Sequence, residues 1–200
     1  MIKLNSPIIL AFSTICIVIF LLIDMFQIGI RYLFITESNF DLYNWEHYPP
    51  LILHVFGHST TDHLFGNLSI GLLIGPLLEE KYGWRRILIA ILVTALVTGI
   101  CNSWIFHDQV WGASGVILML IALSSFTNIK NREIPITFLL VISVYIGREI
   151  LQADNMKNIS FESHIIGGII GSIFGFIFNY YGTKELESLE SYDHGITPSS

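Results

Sequence analysis

The chain has 200 residues, of which 52% are apolar and only 13% charged, with a mean hydropathy of +0.64. A soluble domain carries roughly a quarter charged residues, so this composition points to lipid. The net charge of −6 argues against a nucleic-acid partner, and two isolated cysteines, Cys16 and Cys101, offer neither a disulfide framework nor metal-ligand spacing.

Charged residues divide the chain into six apolar spans, judged against the roughly 20 residues needed to cross a bilayer. The expected spans are 7–30, interrupted only by Asp24, then 57–78, 87–106, 114–129, 134–147 and 164–181. The fifth is short, and its neighbours Glu133, Arg148 and Glu149 must lie near the interface. Lys3 before an apolar stretch resembles the start of a signal peptide, but the stretch runs on without a small-residue cleavage site, so a retained span is expected. Residues 1–182 therefore read as one membrane domain with a first loop at about 31–56. Residues 183–200 read as an acidic tail, expected to be disordered.

With a cytoplasmic N-terminus, Lys3, Lys81, Arg85, Arg86, Lys130, Arg132 and Lys184 lie inside, and Arg31, Arg148 and Lys157 outside. Seven against three of the ten basic residues favours that orientation, with both termini cytoplasmic. It places Ser114, which opens the fourth span, and His164, which opens the sixth, at similar depth on the outer side. An ionisable residue within a membrane is a functional hypothesis by default, and a glycine-flanked serine paired with histidine is nucleophile chemistry.

The second span and the residues leading into it carry two pairs four apart, His54 with His58 and His63 with Asn67. Residues four apart share a helical face, so His63 and Asn67 point the same way and could stabilise a developing oxyanion. They could equally hydrogen-bond helices together. A metal site is a third reading, weakened by the absence of a His-Glu-x-x-His arrangement and of any carboxylate but Asp62 at a matching position. No chemical step falls to His54 or His58. In the sixth span Gly167, Gly171 and Gly175 recur at intervals of four beneath His164, with Gly168 beside them. Small residues at that spacing allow close helix approach. If the fourth span packs on this strip, Ser114 comes within reach of His164, while Gly112 and Gly115 let the chain bend around the serine. The Ser114 backbone N–H, at a helix start, is a free donor.

Four motifs in order resemble the rhomboid family of intramembrane serine proteases: His54-x3-His58-x4-His63-x3-Asn67, Glu79-x3-Gly83, Gly112-Ala113-Ser114-Gly115 and His164-x2-Gly167-x3-Gly171. The resemblance spans about 51–181. It implies an all-α, six-transmembrane-helix bundle with a water-filled cavity open to the outer face, in a bacterial cell membrane. It implies Ser114 as nucleophile, His164 as general base, and His63, Asn67 and the Ser114 amide as the oxyanion hole. Gly112, Gly115, Gly167 and Gly171 would give structural support. The implied substrates are other transmembrane proteins in the lipid bilayer, cut in or near a membrane segment, with no cofactor, no metal and no nucleic acid. The chain departs from the family at Pro49-Pro50, where many members have Trp-Arg, and at Leu118, where many have tyrosine. The rival functions are a non-cleaving binder of transmembrane helices and a small polytopic transporter.

Overall fold

The computed structural model describes residues 5–126 and 161–193, the side chains of the last helix to residue 179, and three isolated positions between them, 136, 140 and 143. The described residues are helical, with no strand among them. The expected fifth span, 134–147, lies outside them apart from those three positions.

The first helix, α1 (Pro7–Phe20), begins on a proline, whose missing N–H is no loss at that position. It buries Ile9, Phe12, Ser13 and Cys16, a single face at helical spacing, and exposes Ile15, Ile17 and Val18 to the lipid side. The helix ends in a π-helical turn, Leu21–Met25. Gln27 then takes a left-handed φ of 50°, so the span stops about five residues before the expected limit at 30. A short helix α2 (Pro50–Leu53) and a 3-10 turn (His54–Phe56) follow the first loop.

Helix α3 (Thr61–Tyr82) starts at the Thr60 cap, whose hydroxyl accepts from the His63 amide at 3.1 Å. It ends at Gly83, whose φ of +84° suits glycine, and α4 (Trp84–Ile100) begins at the next residue. Just before that turn, the buried Glu79 carboxylate accepts from the Ile8 and Ile9 amides, each at 3.0 Å. These are orphan donors of the first turn of α1, so a side chain from α3 caps a helix far away in sequence. Helix α4 buries Ile87, Ala90, Ile91, Thr94, Ala95, Thr98 and Gly99 on one face. It runs into a second π-helical turn, Cys101–Phe106, closed by His107 with a φ of 55°.

Helix α5 (Ser114–Ser125) is buried on nearly all sides, from Gly115 to Leu120 and at Ala122 and Leu123. An all-round apolar helix belongs in the centre of a bundle, and α5 packs against α3, α4 and the last helix, α6 (Phe161–Asp193). At 12 residues it rises about 18 Å, well short of a hydrocarbon core of about 30 Å. A central helix that short does not by itself span the hydrocarbon core. Three described helical stretches are long and apolar enough to cross it: Pro7–Met25, Trp84–Phe106 and Phe161–Asn179. Helix α6 continues past residue 182, where the sequence marks the start of a polar tail, to Asp193. The molecule is an all-α integral membrane protein.

Candidate active site

Ser114 is the first residue of α5, and the glycines on either side of it, Gly112 and Gly115, lie against residues of three different helices. Gly112 has a φ of +137°, and a Cβ there would fall 2.9 Å from His63 Nε2. Its amide donates to the His54 carbonyl at 2.9 Å. Glycine is required on both counts, since only a residue without a side chain lets the His63 ring lie against the turn. Gly115 sits in a slot. A Cβ there would meet the Ser163 carbonyl oxygen at 3.2 Å and Thr98 Cγ2 at 3.4 Å.

From the other side, α6 presents its glycines to α5. A Cβ at Gly167 would collide with the Gly115 backbone, and one at Gly171 with the Met119 carbonyl and Ala122 Cβ. One at Gly175 would strike the Phe126 ring. Gly168 is buried, but among the described residues none stands within 4 Å of a Cβ there, so it is not part of the strip that meets α5. At the far end, Asn179 Nδ2 donates to the Phe126 carbonyl, fastening α5 to α6 below the glycines. His164, 3% exposed, lies on the first turns of α6 next to Ser163. The residues following Ser114 and preceding His164 are therefore in direct contact.

The histidine cluster is arranged differently from the sequence expectation. His54 and His58 do not share a face of the second span. His54 lies in the 3-10 turn after α2, and His58 lies in the loop before the Thr60 cap. The backbone leaves helical geometry at Gly57 and regains it only at Thr61, which breaks the four-residue register. His54 Nδ1 donates to the Pro50 carbonyl at 2.9 Å, and its Nε2 lies 3.2 Å from Thr98 Oγ1. It thus ties the first loop to α4. Burial pushes its pKa down to about 4, only partly offset by the carbonyls of Pro50 and Leu51.

His63 and Asn67 do lie one turn apart on α3, and His58 touches both. The Asn67 amide donates to His58 Nε2 at 3.1 Å, and the His58 and His63 rings meet edge to face at 5.2 Å. His58 Nδ1 in turn donates to the Phe56 carbonyl at 3.3 Å, which fixes Nε2 as the acceptor. The sequence reading gave His58 no part in the site. Its five-residue spacing from His63 hides the contact, because that spacing is not a helical one. Asn67 still has a second N–H beyond the one given to His58. Among the described residues no three of His, Cys, Asp and Glu are grouped to hold a metal ion.

The first loop lacks a Trp-Arg pair and is held by other means. Thr36, fully buried, exchanges bonds with Val110: its amide donates to the Val110 carbonyl at 3.0 Å, and the Val110 amide donates to its hydroxyl at 2.8 Å. Arg31 lies 5.0 Å over the Trp111 ring and 3.6 Å from Asp24. These contacts lead directly to Gly112, so the loop and the serine turn are built as one unit.

The chain is 24% identical over 189 residues to the rhomboid protease GlpG of Haemophilus influenzae, covering 92% of this chain and 96% of that protein. The Rhomboid domain family matches residues 44–181, a stretch that takes in the histidine cluster, the Ser114 turn and the glycine face of α6. The chain belongs to the rhomboid family.

Proposed function

We propose that the protein is an intramembrane serine endopeptidase that cuts other membrane proteins in or near a transmembrane segment, with Ser114 and His164 as the reacting pair. The observation that carries the reading is the contact of Gly115 with Ser163 and Gly167. It supports the pair because it brings the residues flanking Ser114 and His164 together, with the serine at a helix start.

His164 takes the proton from Ser114 Oγ as that oxygen attacks the scissile carbonyl carbon. The oxyanion is held by the Ser114 amide, His63 and the second N–H of Asn67. Collapse of the adduct expels the amine, which His164 protonates, leaving an ester on Ser114. Water, deprotonated by His164, then hydrolyses that ester. The step needs no cofactor. A helical substrate must unwind locally before the serine can reach its carbonyls, because an intact helix satisfies its backbone groups internally. The active site faces the outer side and both termini the cytoplasm, in keeping with the distribution of Lys and Arg.

The test is incubation of the purified protein with a labelled transmembrane substrate and with a serine-directed phosphonate. The unmodified protein cleaves, and the phosphonate attaches at Ser114. Ser114→Ala and His164→Ala each abolish cleavage while the protein still folds. Cleavage that survives Ser114→Ala would overturn the assignment, and binding without cleavage would favour a rhomboid-like helix binder.

A further inference from the structure

Asn102 is fully buried at the outer end of α4, within the π-helical turn. Its Nδ2 donates to the Thr98 carbonyl at 2.7 Å and to Ser163 Oγ at 2.7 Å. An asparagine joining two membrane helices is ordinarily adhesive and no more. Here its two acceptors have a particular position. Thr98 and Ser163 both stand against Gly115, through Thr98 Cγ2 and the Ser163 carbonyl. Gly115 is joined to Ser114 and Ser163 to His164. One amide nitrogen thus ties together two residues that flank Gly115.

We infer that Asn102 and Ser163 are positioning residues for the reaction, and that the Asn102–Ser163 hydrogen bond sets the spacing of Ser114 and His164. The inference rests on the reading of those two residues as the reacting pair. Its physical basis is leverage over a short distance. Ser163 Oγ lies on the residue before His164, at the first turn of α6, where backbone hydrogen bonds are incomplete. Below it, the glycine contacts fix the helix axis, and the bond from α4 adds a fixed point in the first turn itself.

The experiment compares Ser163→Ala, Asn102→Leu and the double variant in the full-length protein. It reads kcat and KM for a transmembrane substrate and the rate of phosphonate labelling at Ser114. Ser163→Ala removes a single oxygen, so the variant stays folded. Misplacement by about 1 Å can slow a reaction by roughly 10²-fold. Ser163→Ala is therefore expected to lower both kcat and the labelling rate by roughly ten- to a hundredfold, with KM within about twofold. The double variant is expected to be no slower than the slower single variant, because both changes remove one interaction. A purely adhesive bond would reduce the folded fraction and leave the kcat of the folded protein unchanged, and that result would overturn the inference. So would losses that multiply in the double variant. If the unmodified protein labels at Ser114 and Ser163→Ala labels equally fast, this inference alone fails. If the unmodified protein neither cleaves nor labels, the proposed function fails and the inference fails with it.

Discussion

In the proposed mechanism His58 has no chemical step of its own and acts through Asn67. Its Nε2 holds one hydrogen of the Asn67 amide and so sets the plane in which the other points. Removing a single oxyanion donor typically lowers turnover about 10²–10³-fold, and that is the loss expected for Asn67→Ala. His58→Ala should produce a smaller loss of the same kind, in kcat and not in KM, because Asn67 remains but is no longer oriented. In a double variant the two losses should not multiply. Independent losses would show that His58 serves folding alone. His54 supplies a different measurement. Its folded pKa, about 4, lies below its ordinary value of 6.5. Between those values the unfolded chain takes up a proton that the folded protein refuses. Stability from this residue is thus complete above pH 6.5 and declines as pH falls toward 4. The thermal midpoint of the unmodified protein should drop over that interval, and His54→Gln should drop less. Equal slopes would place the acid sensitivity elsewhere.

At the scale of elements, the contact between α5 and α6 is set by Gly167, Gly171 and Gly175 on α6 and by Gly115 on α5. Gly171→Val would push against the Met119 carbonyl and Ala122. Overpacking of this kind typically costs about 1–3 kcal/mol, while the displaced serine turn could slow the reaction by about 10²-fold. Activity should therefore fall much further than the yield of folded protein. Ile169→Val, at an exposed position of the same helix, should change neither. Comparable activity of the two variants would mean that the glycine face does not hold the site. The cap on α1 makes a separate prediction. Glu79→Ala strands the Ile8 and Ile9 amides away from water, and a buried donor left unsatisfied costs about 1–3 kcal/mol. The thermal midpoint should fall, and Glu79→Gln, which keeps an acceptor oxygen, should recover part of the loss. A Glu79→Ala protein as stable as the original would show that the cap contributes nothing.

Across the whole molecule, reporter tags at Lys3 and after residue 182 should both read cytoplasmic, and a tag near Asp154 should read external. An external C-terminus would contradict the arrangement inferred from seven inner and three outer basic residues. Apolar runs and four-residue spacings made most of the bundle legible. The helical stretches of 7–25, 84–106, 114–125 and 161–179 begin and end within a few residues of the runs that announced them. The interval of four between Gly167, Gly171 and Gly175 marked the face that meets α5. What stayed hidden depends on contacts between segments distant in sequence. His54 and His58 are four apart yet lie in a turn and a loop, because Gly57 and the Thr60 cap interrupt the helix. The Asn102–Ser163 bond joins residues 61 apart, and neither asparagine nor serine in an apolar run announces its partner. The first loop was legible only as polar and aromatic. Its attachment through Thr36 and Arg31 has no periodicity to reveal it.

The cap on α1 also has a consequence in time. Ile9 waits for Glu79 across 70 residues of chain. At a synthesis rate of about 5–20 residues per second, that separation corresponds to roughly 4–14 s. During that interval the first helix sits in the bilayer with its leading amides served only by interfacial water. It can be locked into place only when the end of the third helix reaches the same side of the membrane. The docking of the first helix is thus a late event of assembly although its residues are made first. A nascent chain halted before residue 79 should carry this helix inserted but not yet joined to the rest.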